Sequence, residues 1–410
     1  MPSADLPALD QLPGNPDLPD PLAASAGGGP VSTPTEWVSR RQRLLTLLRH
    51  YEYGVPPAPV AFNRSVRFRD DAAFGGAGTL AEVDLLIGSA PKPIRVLIAL
   101  PPGLADGLVK RPVFVGVNFV GNHTLIDDER VAIPDQVPEG YGPVPRDRGS
   151  LPRSWPLADI TAAGCAVATF YAGDLDIDDP DVRDGGIRSW FDELPGLNPT
   201  APPGSLTAWA WGLSRVVDYL IQQPTIRAQS VVAVGHSRFG KVAMLAGATD
   251  ARIDAVIAHQ AGAGGTSPLR SSDPGAEKPS HLAASFPHWF TPAFSTLADD
   301  PERAPFDQHT LLALAAPRPV LFSNAVEDAW ADPVGQLAVR AAAEPVYAVV
   351  DPDYEPFEQP TPDQVPAAGT HLHGRVEWRL REGGHSVTDE DWQGFLDFVQ
   401  RQVPSAPTEG

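Results

Sequence analysis

A three-layer α/β/α sandwich on a mostly parallel sheet is the architecture this sequence predicts, and three observations carry it. Short apolar runs of strand length alternate with longer helical patterns from residue 112 onward, as expected for a parallel sheet covered on both faces. Three earlier segments have strand character and lie close enough together to pair antiparallel. One apolar run, Ser230-Val-Val-Ala-Val234, passes directly through Gly235-His-Ser-Arg-Phe-Gly240 into the helix-forming stretch Lys241-Val-Ala-Met-Leu-Ala246.

Taken in order, residues 1–35 are rich in Pro, Asp, Gly and Ser and read as a disordered leader. Residues 36–53 read as a helix, with Trp37, Leu44, Leu45, Leu47 and Leu48 at its apolar positions. Strands are expected around Val66-Arg67-Phe68, Ala81–Leu86 and Ile94–Leu100, leading into the main sheet. Pro112–Asn118 and Ala166–Phe170 read as buried strands, joined by a Pro- and Gly-rich connection over 121–156. Leu206–Leu220 is a strong helix, followed by the strand at 230–234, the helix from 241 and a strand at Ala255–Ala258. Then come a strand at Pro319–Ser323, a helix over Pro333–Arg340, a last strand at Val346–Val350 and a terminal helix over 389–401. No repeat or linker interrupts residues 36–403, so a single domain is expected, with a disordered tail at 404–410.

Composition narrows the function. The 410 residues are 42% hydrophobic, enough for a large core, and carry 31 Lys and Arg against 51 Asp and Glu, a formal net charge of -20. Without a basic block, nucleic acid and anionic membrane surfaces are poor partners, and no segment has the length of a membrane span. Cys165 is the single cysteine, which rules out an internal disulfide and Cys-rich metal sites; it reads as a buried strand thiol. The leader shows no basic segment followed by a long apolar stretch, so location is weakly constrained.

The strand–Gly-His-Ser–helix passage reads as a nucleophile elbow, the defining turn of the α/β-hydrolase fold. Ser237 would sit in a strained bend with its hydroxyl exposed, at a helix start whose backbone N–H groups face a developing oxyanion. The motif is irregular, because position 239 is Phe and the second glycine falls at Gly240. A nucleophilic serine needs a histidine base and an orienting carboxylate, in the chain order Ser, acid, His. His385, in Arg381-Glu-Gly-Gly-His-Ser386, lies between the last strand region and the terminal helix, where the base belongs. His371 and His373 are weaker candidates, and His236, beside the nucleophile, suits a pocket wall. The loop after Ser323 offers Asp328, favoured by its distance past the strand end, with Asp332 and Glu327 as alternatives. Asp332 precedes Pro333 and equally suits a helix cap. No HExxH or other compact ligand spacing appears, so no metal or cofactor is expected.

These residues and their surroundings resemble the glucuronoyl esterases of carbohydrate esterase family 15, in particular the bacterial branch. Gly235-His-Ser-Arg-Phe-Gly-Lys241 matches that family's extended elbow, whose second glycine falls where Gly240 stands. Asn118-Phe-Val-Gly-Asn-His123, the stretch from Trp155 through Ala166–Asp174, Ala208–Arg215, Ser285–Phe290, Glu327–Pro333 and Gly384-His385-Ser386 with Asp391-Trp392 continue the likeness over about residues 36–400. The resemblance implies hydrolysis of the ester between 4-O-methyl-D-glucuronic acid on xylan and lignin alcohols. It implies that Arg238 helps stabilise the oxyanion and that Lys241, Glu277 and Trp330 hold the uronic acid. It also implies a glucuronoxylan or lignin–carbohydrate ester as partner, a monomer, and a secreted or periplasmic location. Two departures stand out: the stretch where fungal members carry their acid reads His259-Gln260-Ala-Gly-Ala-Gly-Gly265, in which Gln260 cannot be the anionic partner, and the fungal cysteine before the nucleophile is His236. The segment Gly275-Ala-Glu-Lys-Pro279 fits the family loosely. Other readings are an acetyl xylan or feruloyl esterase, which shares the triad, and a non-catalytic carbohydrate-binding relative.

Overall fold

The apolar runs become the strands β1 (Phe62–Ala72), β2 (Gly78–Ile87), β3 (Ile94–Leu100), β4 (Val113–Asn118), β5 (Ala166–Tyr171), β6 (Val231–His236), β7 (Ala255–His259), β8 (Val320–Ala325), β9 (His371–Leu372) and β10 (Val376–Arg381). The computed structural model describes residues 6–24, 29–103, 111–137, 145–223, 230–360 and 366–403. The expected tail at 404–410 lies outside the described residues. Among them the strands form one sheet in the order β1-β2-β3-β5-β4-β6-β7-β8-β10-β9. β1 to β3 pair antiparallel and join the sheet at β5. From β5 to β10 the pairing is parallel. The result is a three-layer α/β/α sandwich with a mixed, mostly parallel sheet.

Side-chain alternation explains the layers. Val113, Val115 and Val117 face one side, in a core with Trp209 and Phe239, while Phe114, Val232 and Val234 face the other, in a core with Trp392 and Phe395. The first side is covered by helices Pro34–Leu48, Ser205–Gln222, Arg238–Thr249 and Gly335–Val350, the second chiefly by Asp389–Gln402. At the free edge, β1 is mostly exposed and carries Arg64, Arg67, Arg69, Asp70 and Asp71, charges that discourage pairing with another chain.

Two expectations are corrected. Val346–Val350 is not a strand but the end of helix Gly335–Val350. Val339, Ala343, Val346 and Tyr347 are buried, a stripe of helical spacing. Pro345, whose ring costs the helix a hydrogen bond, faces solvent. The last long strand is instead β10, whose sequence Val-Glu-Trp-Arg-Leu-Arg hides its burial behind charges that are paired inside. There Glu377 bonds Arg401 and Arg381 bonds Asp391, each at 2.7–2.8 Å.

The Pro-rich leader also behaves differently from a disordered segment where it is described. Residues 6–24 lie along the body, with Leu9 in the core and Asn15 N donating to Glu302 O at 2.9 Å. Arg270 Nη1 donates to the carbonyls of Asn15 and Asp17 at 2.7 and 2.9 Å. The first helix starts at Pro34, closed by a capping box between Thr33 and Glu36.

The register levels the strand ends. His236 is opposite His259, His259 opposite Ser323, and Ala325 opposite Arg381. The loops after β4, β6, β7, β8 and β10 therefore leave the same edge, the carboxyl edge at which open α/β sheets bind ligands.

Candidate active site

Ser237 occupies the bend after β6 with φ 57 and ψ -127, a conformation that a non-glycine residue adopts only when its surroundings enforce it. The enforcement is visible. Ser237 N donates to His259 O at 2.8 Å, and Ser237 O accepts from Gly240 N and Lys241 N. A Cβ at position 235 would lie 1.9 Å from Phe239 O, so the first glycine is obligatory. A Cβ at 240 would meet Ala261 Cβ at 2.9 Å and His259 O at 3.1 Å, which explains why the second glycine stands there. Phe239 instead enters the core, its ring 4.4 Å from Phe119 and 5.4 Å from Trp209.

His385 follows β10 and faces the same cavity as Ser237. Its Nδ1 lies 2.7 Å from Asp328 Oδ2. Asp328 is buried just past β8, whereas Glu327 beside it is exposed. Asp332 is engaged elsewhere: Oδ1 accepts from Gly335 N at 2.8 Å and Oδ2 from Ser271 Oγ at 2.7 Å, which caps helix Gly335–Val350. Of the three acids in this loop, Asp328 is the one bonded to His385. His371 and His373 stand at the β9 end of the sheet.

Arg238, the first residue of the elbow helix, also lines the cavity. Its guanidinium pairs with Asp178 and lies 4.9 Å from the ring centre of Trp289 and 5.3 Å from that of Phe286. Asp178 is buried and accepts from His288 Nε2 at 2.8 Å and Trp289 Nε1 at 2.6 Å. Burial would raise its carboxyl, but the His288 bond, the Arg238 charge and the Trp289 bond outweigh it and hold it ionised, below the ordinary carboxylate range. Sequence reasoning missed Asp178, one of four aspartates between 174 and 179 with nothing local to single it out.

Behind Ser237 stand the buried His259 and the half-buried His236. The His236 ring lies 4.6 Å from that of His385 and 5.1 Å from that of His259. Burial, and then the charges that His259 and His385 would carry, push His236 well below its ordinary range, so it is neutral. His236 forms the pocket wall expected of it.

The cavity has a volume of about 710 Å³. Its walls include Leu125, Leu151, Pro152, Trp155, Val387 and Trp392, so apolar side chains line much of it away from Ser237 and His385, beside the polar Asn118, Thr124, Ser150, Arg153 and Ser154. Lys241, Glu277 and Trp330 do not line it. Lys241 Nζ bonds Glu277 Oε2 at 2.6 Å, Ala261 O at 2.6 Å and Ala263 O at 2.5 Å, so all three ammonium protons are used inside the protein. Burial lowers the Lys241 ammonium from its ordinary range, with the Glu277 charge opposing. Glu277 N in turn donates to Trp330 O at 2.9 Å, and the Trp330 side chain is 43% exposed, edge-on to His281.

Among the described residues, one group has metal-ligand chemistry: His371, His373 and Glu377, with ligand atoms within 4.8 Å of one another. Glu377 is already held by His371 Nε2 and Arg401 Nη2, both at 2.7 Å, and by Gln402 Nε2 at 2.9 Å. These bonds overcome the cost of burial and take its carboxyl down to about 2. The cluster ties the terminal helix to β10.

Comparison with known proteins meets this geometry from another side. A family profile for fungal glucuronyl esterases matches residues 152–351. The carbohydrate esterase MZ0003 from an unknown prokaryotic organism is 32% identical over 402 residues, covering 94% of this chain and 89% of its own. This chain belongs to the glucuronoyl esterases of carbohydrate esterase family 15. Among solved members of this family, the glucuronoyl esterase from Solibacter usitatus superposes with a TM-score of 0.84 at 32% identity, over 96% of this chain and 99% of that one. A promiscuous esterase of the same family from a marine bacterial metagenome gives 0.82 at 31% identity, over 96% and 99%. As a family 15 esterase, the chain is a hydrolytic enzyme. No helix among its described residues is long and apolar enough to cross a membrane.

Proposed function

We propose that this family 15 esterase hydrolyses the ester between 4-O-methyl-D-glucuronic acid of glucuronoxylan and a lignin alcohol, with Ser237 as nucleophile, His385 as base and Asp328 as orienting acid. The observation that carries the reading is the 2.7 Å His385–Asp328 pair at the cavity that also holds the strained Ser237. His385 Nε2 takes the Ser237 hydroxyl proton as Oγ bonds to the ester carbonyl carbon. The carbonyl oxygen becomes an oxyanion, met by the helix start and by the cationic Arg238 held by Asp178. As the carbonyl re-forms, the alkoxide leaves with the proton from His385, and an acyl-serine remains. Water then loses a proton to His385, attacks the acyl carbon, and Ser237 departs reprotonated.

On the sugar side, the exposed Trp330 ring offers a stacking face and Glu277 a carboxylate acceptor, while the ion pair fixes Lys241 as the support that orients Glu277. The aromatic cavity takes the alcohol. A secreted or periplasmic setting is part of the same proposal. Hydrolysis of benzyl glucuronate, abolished by Ser237→Ala, is the expected result; acetyl xylan cleavage with no turnover of glucuronate esters would defeat it. A broader ester range is a second reading, favoured by the promiscuous structural relative.

A further inference from the structure

Gln260 is the residue that follows β7, where the fungal enzymes carry their acid. Its side chain makes no hydrogen bond to the imidazole of His385. It bonds both neighbours instead: Nε2 donates to Gly384 O at 3.0 Å, and Oε1 accepts from Ser386 N at 3.0 Å. We propose that Gln260 is a positioning residue for His385, acting through the two peptide groups that flank the base. The inference rests on the esterase reading above.

Three features support it. The loop needs an external anchor, because Gly383 (φ 88) and Gly384 precede His385 and have no side chains to hold the chain. Pinning one peptide on each side of residue 385 fixes the direction in which its side chain leaves the backbone. The amide orientation is itself determined: Ser386 N–H requires an oxygen and Gly384 O requires an N–H, so a flipped amide would oppose both. With Oε1 so placed, His236 Nε2 at 3.0 Å must carry the proton of that bond. Finally, Gln260 is 2% exposed and held at φ 50, with its own N–H bonded to Ser323 O at 2.8 Å. Such a backbone is strained, and strain of that kind concentrates at functional sites.

The pattern explains why this position is an amide. It must donate to one peptide and accept from another, which a carboxylate cannot do. Other groups steady the same loop: Arg381 Nη2 donates to Ser386 O at 2.7 Å, and His259 Nε2 lies 2.8 Å from the same oxygen. His259 grips only the far side of His385, and Arg381 Nη2 reaches Gly384 O only at 3.4 Å. Gln260 bonds the peptides on both sides at 3.0 Å.

The test compares Gln260→Met, of similar length but without the paired bonds, and the isosteric Gln260→Glu with the wild-type enzyme on benzyl glucuronate. The expected result is a kcat at least tenfold lower with KM within about twofold, at temperatures where circular dichroism shows each variant folded. The low-field proton resonance of His385 Nδ1–H should broaden in both. Gln260→Glu carries the test if Gln260→Met does not fold. Wild-type kcat in either folded variant, or a loss confined to KM with an unchanged resonance, overturns the proposal. If wild-type enzyme itself leaves glucuronate esters intact, the function reading falls instead. Restored activity in an Asp328→Asn, Gln260→Glu double variant would also overturn it, by showing that the position serves as an acid.

Discussion

Asp178 and Arg238 form an ion pair between a buried carboxylate and an arginine that lines the cavity shared by Ser237 and His385. The carboxylate comes from the loop after β5 and the arginine from the elbow helix, so the pair ties the nucleophile's helix to a separate part of the chain. With His288 and Trp289 on its remaining oxygen, Asp178 leaves Arg238 one orientation. Asp178→Asn should therefore lower kcat about tenfold to a hundredfold with a smaller change in KM, since an interaction stronger in the transition state is weakened. Arg238→Lys should not restore activity, because an ammonium lacks the planar fork that stacks on Trp289 and Phe286. Equal kcat in the wild-type and Asp178→Asn enzymes would refute this.

The acid loop can be separated residue by residue. Asp328→Asn should cost about 10³–10⁴-fold in kcat, the scale seen when a triad aspartate loses its charge. Glu327→Gln, altering an exposed side chain, should leave kcat unchanged. Asp332→Ala should cost about 1 kcal/mol of stability as a lost helix cap, seen as a lower urea midpoint.

The aromatic cavity predicts a preference for bulky alcohols. Benzyl glucuronate should exceed methyl glucuronate in kcat/KM. Leu151→Trp, which fills the cavity wall, should reduce the benzyl ester's kcat/KM about tenfold more than the methyl ester's. Equal effects on both esters would place the alcohol elsewhere.

Lys241 and Glu277 should behave as a buried pair. Lys241→Met leaves the Glu277 carboxyl in the interior without its cationic partner, at a cost of about 3–5 kcal/mol. The double variant Lys241→Met, Glu277→Gln should recover much of that loss. Chemical denaturation of the three proteins checks it, and additive single effects would contradict the pairing.

Glu52 makes stability depend on pH. Burial is the main cause that pushes its carboxyl up to about 8 from an ordinary 4.5, with Asp307 adding to it and Gln308, Tyr53 and Lys241 opposing. The folded state thus holds a proton that the unfolded chain releases. Its contribution to stability is complete below about 4.5 and is lost as pH rises through about 8. Glu52→Gln should gain Tm relative to wild type as pH increases from 5 to 9; a constant difference would exclude Glu52 as the source.

The sequence by itself determined the sandwich and the elbow, and singled out Ser237 and His385, which line one cavity. Those features are local or periodic: a strand entering a glycine-framed bend, apolar runs of fixed length, a histidine just before a capped helix. Val346–Val350 misled because a β-branched run looks alike in either secondary structure, and the helical stripe shows only once the core is in place. β10 was passed over because its charges find partners from residues distant in sequence, Arg401 and Asp391. Tertiary structure alone decided which of three neighbouring acids meets His385, that Lys241 spends its protons on the protein, that Asp178 pairs with Arg238, and that Gln260 bonds the peptides on both sides of His385. Each of these is a contact between separate strand ends, set by sheet register and by the competition of buried polar groups for partners. No spacing along the chain encodes that competition.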